Sequence, residues 1–373
     1  GGSATDGREG LMGRAAVFHG PGRPLELACD PDPEPVAAAV LVRVSCCTLC
    51  RSDLHTHAGR RAEPTPTVLG HEVVGRIVGF GPTAARTDAR GQLAAVGDRV
   101  TWAVVAACGE CFYCGEDLPQ KCERRYKYGH ERRTPDCPAG GGLADHVVLV
   151  PGTAWFRVPD EIPDRVAAPA NCATATVAGL LRHVGPVAGR SVLVLGAGVL
   201  GVTACAMARA AGARAVLTAD PVPSCRGRAL RFGATHVLPA EAADLADGVA
   251  GATDGRGADV VFELAGAPAS VLAGLAHVRT GGTLVLAGTV APGGVTLEPE
   301  AIVRRMLTIR GVHNYHPRDL GAALDFLAGP GRGLPFADLV AAEFPLDRAE
   351  EAFAHGHAHP GVRVAVTPNR EGA

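Results

Sequence analysis

Two textures of apolar and polar positions divide the chain. Between residues 14 and 160, short apolar or alternating runs recur at 15–18, 40–44, 73–79 and 146–150, punctuated by Gly and Pro. Runs of this length between turn residues predict β-strands. Residues 97–102, entered through a Gly-Asp turn, predict another. From about 174 the pattern changes. Ala-rich stretches of helical spacing alternate with apolar runs at 191–196, 215–220, 259–263 and 282–288. Such alternation predicts βαβ units around a parallel sheet buried on both faces. The expected class is therefore α/β: a β-rich domain followed by a doubly wound parallel-sheet domain. Residues 31–35 (Pro-Asp-Pro-Glu-Pro) and 86–92 read as surface loops, and no internal repeat is present.

Composition adds exclusions. A chain of 373 residues is longer than one domain usually holds. Hydrophobic residues make up 47% and charged residues 20%, an ordinary globular balance. A net charge of −2 without a long basic run argues against nucleic acid or a membrane surface as partner. The longest apolar stretches are broken by Gly, Arg and Asp, so no membrane span is expected. The first ten residues carry no charged segment followed by an apolar run. No secretion signal is read there, and a reducing cytoplasm is the expected location.

That location decides how the 12 cysteines are read, because clustered thiols in a reducing compartment point to metal rather than disulfides. Cys108, Cys111, Cys114 and Cys122 follow at intervals of two, two and seven residues. Four thiolates give the closed tetrahedral shell of structural zinc, with a four-cysteine iron–sulfur cluster as the rival. Gly109 and Gly115 let the backbone fold around one ion. The scattered Cys29, Cys205 and Cys225 are expected to be small buried hydrophobes.

A second signal is the apolar run 192–195 followed by Gly196-Ala-Gly198-Val199-Leu200-Gly201 and then a helical pattern. In this G-x-G-x-x-G arrangement, one glycine makes the tight turn, one admits a pyrophosphate and one lets helix pack on strand. The phosphate charge meets the helix N-terminus. The next apolar run ends in Asp220, 19 residues after Gly201. An acid there accepts the adenosine ribose hydroxyls and repels a 2′-phosphate, so NAD is expected. Arg226 and Arg228 follow closely and leave NADP possible.

Three further stretches hold metal-ligand residue types: Cys-Arg-Ser-Asp-Leu-His at 50–55, Gly-His-Glu at 70–72 and Asn-Cys-Ala-Thr-Ala-Thr at 171–176. Two cysteines and a histidine far apart in sequence can converge as a three-ligand site with an open fourth position, the arrangement of catalytic zinc. Together with the four-cysteine lobe and the glycine turn, in this order, these motifs make the chain resemble the zinc-dependent medium-chain alcohol dehydrogenases over about residues 14–365.

The resemblance implies a GroES-like catalytic domain at 12–173 with the structural zinc lobe at about 108–122. A Rossmann NAD-binding domain at 174–308 and a C-terminal return to the first domain at 309–373 would follow. It implies two Zn2+ per subunit, the catalytic one held by Cys50, His71 and Cys172. Cys46 and Cys47 precede the motif, which begins at Cys50. Glu72 would lie beside the metal, and Asp53 would hold the imidazole of His71. Ser52 would touch the substrate alcohol and His55 would end the proton relay, with His57 next to it. Arg51 would meet the cofactor pyrophosphate and Thr176 the nicotinamide.

The implied reaction is hydride transfer between a zinc-bound alcohol or carbonyl and NAD(H), in a homo-oligomer, dimer or tetramer. The stretch from Cys114 to Glu131 also resembles a bacterial subgroup associated with phosphonate metabolism. That implies a small phosphonate-bearing alcohol or aldehyde. The cationic candidates for such a substrate are Arg60, Arg61, Arg124, Arg125, Lys127, His130, Arg132 and Arg133. Neutral secondary, cyclic or polyol alcohols are the alternative, and a non-enzymatic zinc-binding protein is a remote one.

Overall fold

The computed structural model describes residues 12–135, 137, 140–288 and 294–368. The chain forms two compact units. The first comprises residues 1–158, 342–357 and 364–373, and the second comprises 159–341 and 358–363.

The first unit is β-rich, as the short apolar runs predict. Strands β1 (Met12–Phe18), β2 (Glu26–Pro31), β3 (Val40–Thr48), β4 (Thr67–Val68), β5 (Glu72–Phe80) and β6 (Arg99–Trp102) come first. Then come β7 (Val105–Ala106), β8 (Tyr126–Lys127), β9 (His146–Leu149) and β10 (Trp155–Arg157). Strands β1, β2 and β4 form a small sheet in the order β2-β1-β4, and β7 pairs with β8. The larger sheet runs β10-β6-β5-β3-β18-β17, with β9 also on β3; its last two members are Val340–Pro345 (β17) and Arg363–Thr367 (β18). The antiparallel β3–β5 ladder places Thr48 opposite Glu72 and Cys47 opposite Val73. The core beneath is apolar, built on Phe18, Leu49, Ile77, Trp102, Tyr128 and Phe353.

The second unit holds six strands, β11 (Ser191–Leu195), β12 (Ala215–Ala219), β13 (His236–Leu238), β14 (Ala258–Glu263), β15 (Val278–Leu286) and β16 (Thr308–Gly311). All neighbours are parallel, in the order β13-β12-β11-β14-β15-β16. This is the doubly wound Rossmann order, whose strand sequence reverses between β11 and β14 and so opens a crevice at their C-terminal ends. Every residue of β11 and β12 is buried, which explains their continuous apolar runs.

Two expectations change. The boundary falls at 158/159 rather than 173/174, and the return begins at 342 rather than 309. Residues 159–173 and 309–341 pack within the second unit. There Arg182, on the helix Ala173–Val184, grips Asp319 through Nε (2.7 Å) and Nη2 (2.9 Å), and Tyr315 donates to the Asn171 carbonyl. Cys205 and Cys225 are buried as expected, but Cys29 is exposed, because it lies on β2 at the edge of the small sheet. Among the described residues, no helix is long and apolar enough to cross a membrane.

Candidate active site

In the second unit, the glycine turn joins β11 to the helix Val199–Ala210. Its three glycines are required for different reasons. Gly196 has φ +100°, and a Cβ there would press on the Ala265 backbone. A Cβ on Gly201 would collide with the Gly196 carbonyl. Gly198 caps the helix with ordinary extended backbone, and a Cβ on it would meet nothing within 4 Å. Nothing among the described residues therefore requires glycine at 198; the open face beside it is the space a ligand would use. The helix has no side-chain cap and no acid in its first turn, which contains Val199 and Leu200. Its first N–H groups thus lack side-chain acceptors and suit a phosphate. This donor set fits the pyrophosphate of a dinucleotide.

Asp220 at the end of β12 does more than the motif suggests. Its Oδ2 accepts the Ala197 N–H at 2.8 Å and its Oδ1 accepts the Val222 N–H at 2.8 Å, so it ties the glycine turn to the second strand. Arg226 donates to the Asp220 carbonyl at 2.6 Å, and Arg228 donates to the Gly361 carbonyl. Sequence reasoning missed Glu263. Fully buried at the end of β14, its Oε1 accepts the N–H groups of Ala265 (3.0 Å) and Gly266 (2.7 Å) and the Ser270 hydroxyl (2.6 Å). It thereby shapes the turn that packs on Gly196. An acid closing an apolar strand beside the sheet's reversal point was the available signal.

In the first unit, β3 delivers Cys50 to the N-cap of the helix Arg51–His57. One turn in, the Asp53 carboxylate collects three donors. Its Oδ2 accepts the Cys50 N–H at 2.8 Å, and its Oδ1 lies 3.3 Å from the Gly70 nitrogen and 3.2 Å from His71 Nδ1. One buried acid therefore orients both Cys50 and His71. Burial alone would lower the His71 pKa, but the charge and hydrogen bond of Asp53 raise it to about 10. With Nδ1 engaged, Nε2 is the nitrogen left to bind a metal. Glu72 is fully buried and accepts the Thr48 hydroxyl at 2.6 Å. Ligand atoms of Cys50, His71 and Glu72 lie within 4.8 Å of one another. A thiol, an imidazole and a carboxylate this close fit a zinc ion. Cys47 packs instead under Gly70 and Gly142, where a Cβ would strike its sulfur.

The remaining residues of this motif lie on the same short helix. Ser52 is half-buried in its first turn. Arg51 Nε donates to His55 Nε2 at 3.3 Å. Burial lowers the His55 pKa, helped by the positive charges of Arg51 and Arg60. The ring of His57 stacks on Phe353 at 4.3 Å. His130, a second residue whose placement the motifs did not show, packs its ring 5.1 Å from that of His71. Its Nδ1 meets Glu63 Oε1 at 3.0 Å. The preceding Gly129 has φ +74°, and a Cβ on it would strike the Gly70 carbonyl. Cys172 is the half-buried N-cap of the helix Ala173–Val184 in the second unit, and Thr176 lies one turn further on.

The four-cysteine lobe is compact. Its sulfurs are 3.4 Å (Cys122–Cys108), 3.5 Å (Cys111–Cys114), 3.8 Å (Cys111–Cys122) and 4.0 Å (Cys108–Cys114) apart. Thiolates about 2.3 Å from one tetrahedral ion stand about 3.8 Å apart, whereas a disulfide needs about 2.05 Å. A multi-iron cage would spread the sulfurs further. The thiols cannot all ionise unaided. Hydrogen bonds from the Glu110 backbone and Arg124 draw Cys108 down to about 6, while burial and Cys111 push Cys114 up to about 12. A single divalent cation resolves that conflict and fits the lobe.

Comparison with known proteins agrees with this geometry. Residues 37–160 match the alcohol dehydrogenase GroES-like domain, and residues 199–329 match the zinc-binding dehydrogenase family. The chain is 31% identical to an L-threonine 3-dehydrogenase of Pyrococcus horikoshii, covering 89% of this chain and 92% of that protein. It is also 31% identical to a 5-exo-hydroxycamphor dehydrogenase of Pseudomonas putida, over 86% and 89%. A crystal structure of an alcohol dehydrogenase from Thermotoga maritima superposes with a TM-score of 0.90 at 27% identity, covering 96% of this chain and all of that one. The chain belongs to the zinc-dependent medium-chain alcohol dehydrogenase family, oxidoreductases that act on CH–OH groups with a nicotinamide cofactor.

Proposed function

We propose that the chain oxidises a secondary alcohol reversibly, passing hydride from the carbinol carbon to C4 of NAD+ and a proton to solvent. The observation that carries this reading is the Asp53 carboxylate, which orients Cys50 and His71 together as a metal site needs. Cys50, His71 and Cys172 would hold a catalytic zinc, with Glu72 beside it, and the four-cysteine lobe would hold a second ion. Zinc supplies Lewis-acid polarisation of the alcohol or carbonyl oxygen, and the nicotinamide accepts hydride. Ser52 takes the hydroxyl proton and His55 passes it outward. Arg51 and the glycine turn would bind the pyrophosphate, Asp220 the ribose and Thr176 the nicotinamide. Threonine C3 and the 5-hydroxyl carbon of hydroxycamphor, the substrates named for two relatives, are both secondary alcohol centres.

A phosphonate-bearing alcohol is the second reading, and it depends on cations free to meet the anion. Arg61 and His130 share Glu63, Arg124 pairs with Glu110, and Arg133 pairs with Asp30. Arg60, Arg125 and Arg132 have no carboxylate partner among the described residues and would be the ones to hold it. Assembly as a homo-oligomer belongs to the same proposal. Val303 and Met306, which precede the edge strand β16, are exposed to 74% and 77%, as apolar residues at an interface would be.

The test is the initial rate of NAD+ reduction, with NADP+ in parallel, across primary, secondary, cyclic and polyol alcohols, L-threonine and 2-hydroxyethylphosphonate. A kcat/KM for secondary alcohols about tenfold above primary ones, a difference of about 1.4 kcal/mol, is expected. A comparable lead for the phosphonate would replace this reading with the second. Silence from every alcohol with zinc bound would overturn both.

A further inference from the structure

Away from the two cysteine-containing clusters, His57, Glu350 and His357 come together in the first unit. They lie at the end of the helix Arg51–His57 and on the helix Ala349–Ala358. The His57 ring is fixed by stacking on Phe353 at 4.3 Å and 14°, with Phe18 6.0 Å away. Its Nε2 is enclosed and has no aligned hydrogen-bond partner among the described residues, yet it lies 3.2 Å from Glu350 Oε1. The two atoms are close but not arranged as donor and acceptor. The other Glu350 oxygen accepts the Leu25 N–H at 3.0 Å, which anchors the carboxylate and leaves Oε1 facing the imidazole.

That separation has a specific meaning. Nitrogen and oxygen ligands about 2.0–2.1 Å from one tetrahedral ion stand about 3.3 Å apart. Two imidazoles on such an ion have ring centres about 5 Å apart. The rings of His57 and His357 are 5.7 Å apart. The ligand atoms of His57, Glu350 and His357 do not all lie within 4.8 Å of one another, so the exposed His357 side chain must change rotamer to close the site. Burial, and then the charges of His57 and Arg60, lower its pKa, which favours the neutral form that binds metal.

We propose that His57, Glu350 and His357 form a further metal site, taking a divalent transition metal such as Zn2+ or Ni2+ with an open position for water. Two imidazoles and one carboxylate suit these ions rather than Mg2+ or Ca2+. Filling the site would clamp the helix that starts at Cys50 and carries Ser52, Asp53 and His55 to the helix Ala349–Ala358. His355 is on the same helix but faces Phe344 at 5.8 Å, outside the set.

The experiment uses the zinc-loaded enzyme, passed over a weak chelating resin and then titrated with Ni2+ by equilibrium dialysis with elemental analysis. One saturable Ni2+ per chain beyond the zinc content is expected at micromolar free metal. His357→Ala and Glu350→Gln should each weaken it about tenfold or more, while His355→Ala should leave it unchanged. All three positions are at least partly exposed, and unchanged melting temperatures without Ni2+ would show that the variants fold. No saturable extra Ni2+, or an extra Ni2+ that survives in the double variant H357A/E350Q, would overturn the proposal.

Discussion

The Asp53 carboxylate lies 3.2 Å from Nδ1 of His71, and its side chain is wholly shielded from solvent. The same carboxylate accepts the N–H of Cys50 at 2.8 Å. Orientation of Cys50 and His71 therefore rests on one charge. Asp53→Asn keeps the shape and removes that charge. Zinc affinity at this site should fall about 10–100-fold. Metal content after graded exposure to a competing chelator measures it. Wild-type retention in the variant would show that Asp53 is only a buried cap.

The glycine turn separates stability from cofactor binding. Gly201→Ala drives a methyl into the Gly196 carbonyl and should cost about 1–3 kcal/mol of stability. Gly198→Ala meets no atom of the described residues within 4 Å and has backbone angles any residue adopts. It should melt like wild type yet raise the KM for NAD+ about tenfold. Thermal melts beside steady-state kinetics distinguish them. Equal losses of stability in both variants would contradict the open face at Gly198.

The contact between Arg51 and His55 predicts a pH effect. Burial lowers the His55 pKa, and the Arg51 charge lowers it further. A base so placed keeps accepting protons to lower pH than an ordinary histidine. Arg51→Gln removes one of the two positive charges, so the His55 pKa should rise. The acid limb of kcat/KM for alcohol oxidation should then move to higher pH. In His55→Ala that limb should disappear. A limb that stays in place in both variants would remove His55 from the proton path.

In the four-cysteine lobe, Cys122 is fully buried and accepts the Cys108 N–H at 3.2 Å. On the proposed assignment, Cys122→Ser should release the lobe's metal, lower the melting temperature and remove one zinc ion per chain. Elemental analysis with calorimetry reads both changes. Full zinc content and an unchanged melt would show that the lobe folds without an ion.

How much of this was legible in the sequence follows from distance along the chain. The cysteine lobe and the glycine turn are each written within a short window, where spacing alone constrains geometry. The parallel sheet was legible because β11 and β12 are buried on both faces and so are apolar throughout. The role of Asp53 was visible only in part: its contact with His71 follows from the family pattern, but its hold on the Cys50 N–H depends on the turn of helix between them. Glu263 was missed because a single acid after an apolar strand looks like a strand end. The His130–His71 packing requires two loops to cross, and Glu350 lies far along the chain from His57. The boundary at 158/159 was missed because residues 159–173 are irregular in sequence and take their place only by packing beneath the helix Pro317–Ala328.

The order of the two units along the chain also governs when each can be finished. The second is almost one continuous stretch, 159–341, whereas the first is interrupted by it and resumes at 342. β18 lies beside β3, and Val364 accepts the Leu49 N–H at 2.9 Å, one residue before Cys50. On the ribosome, the nucleotide-binding half can therefore condense as it emerges. The end of β3 at Cys47 and Thr48, which leads into Cys50, must wait unpaired on its β18 side until Arg363–Thr367 have been synthesised.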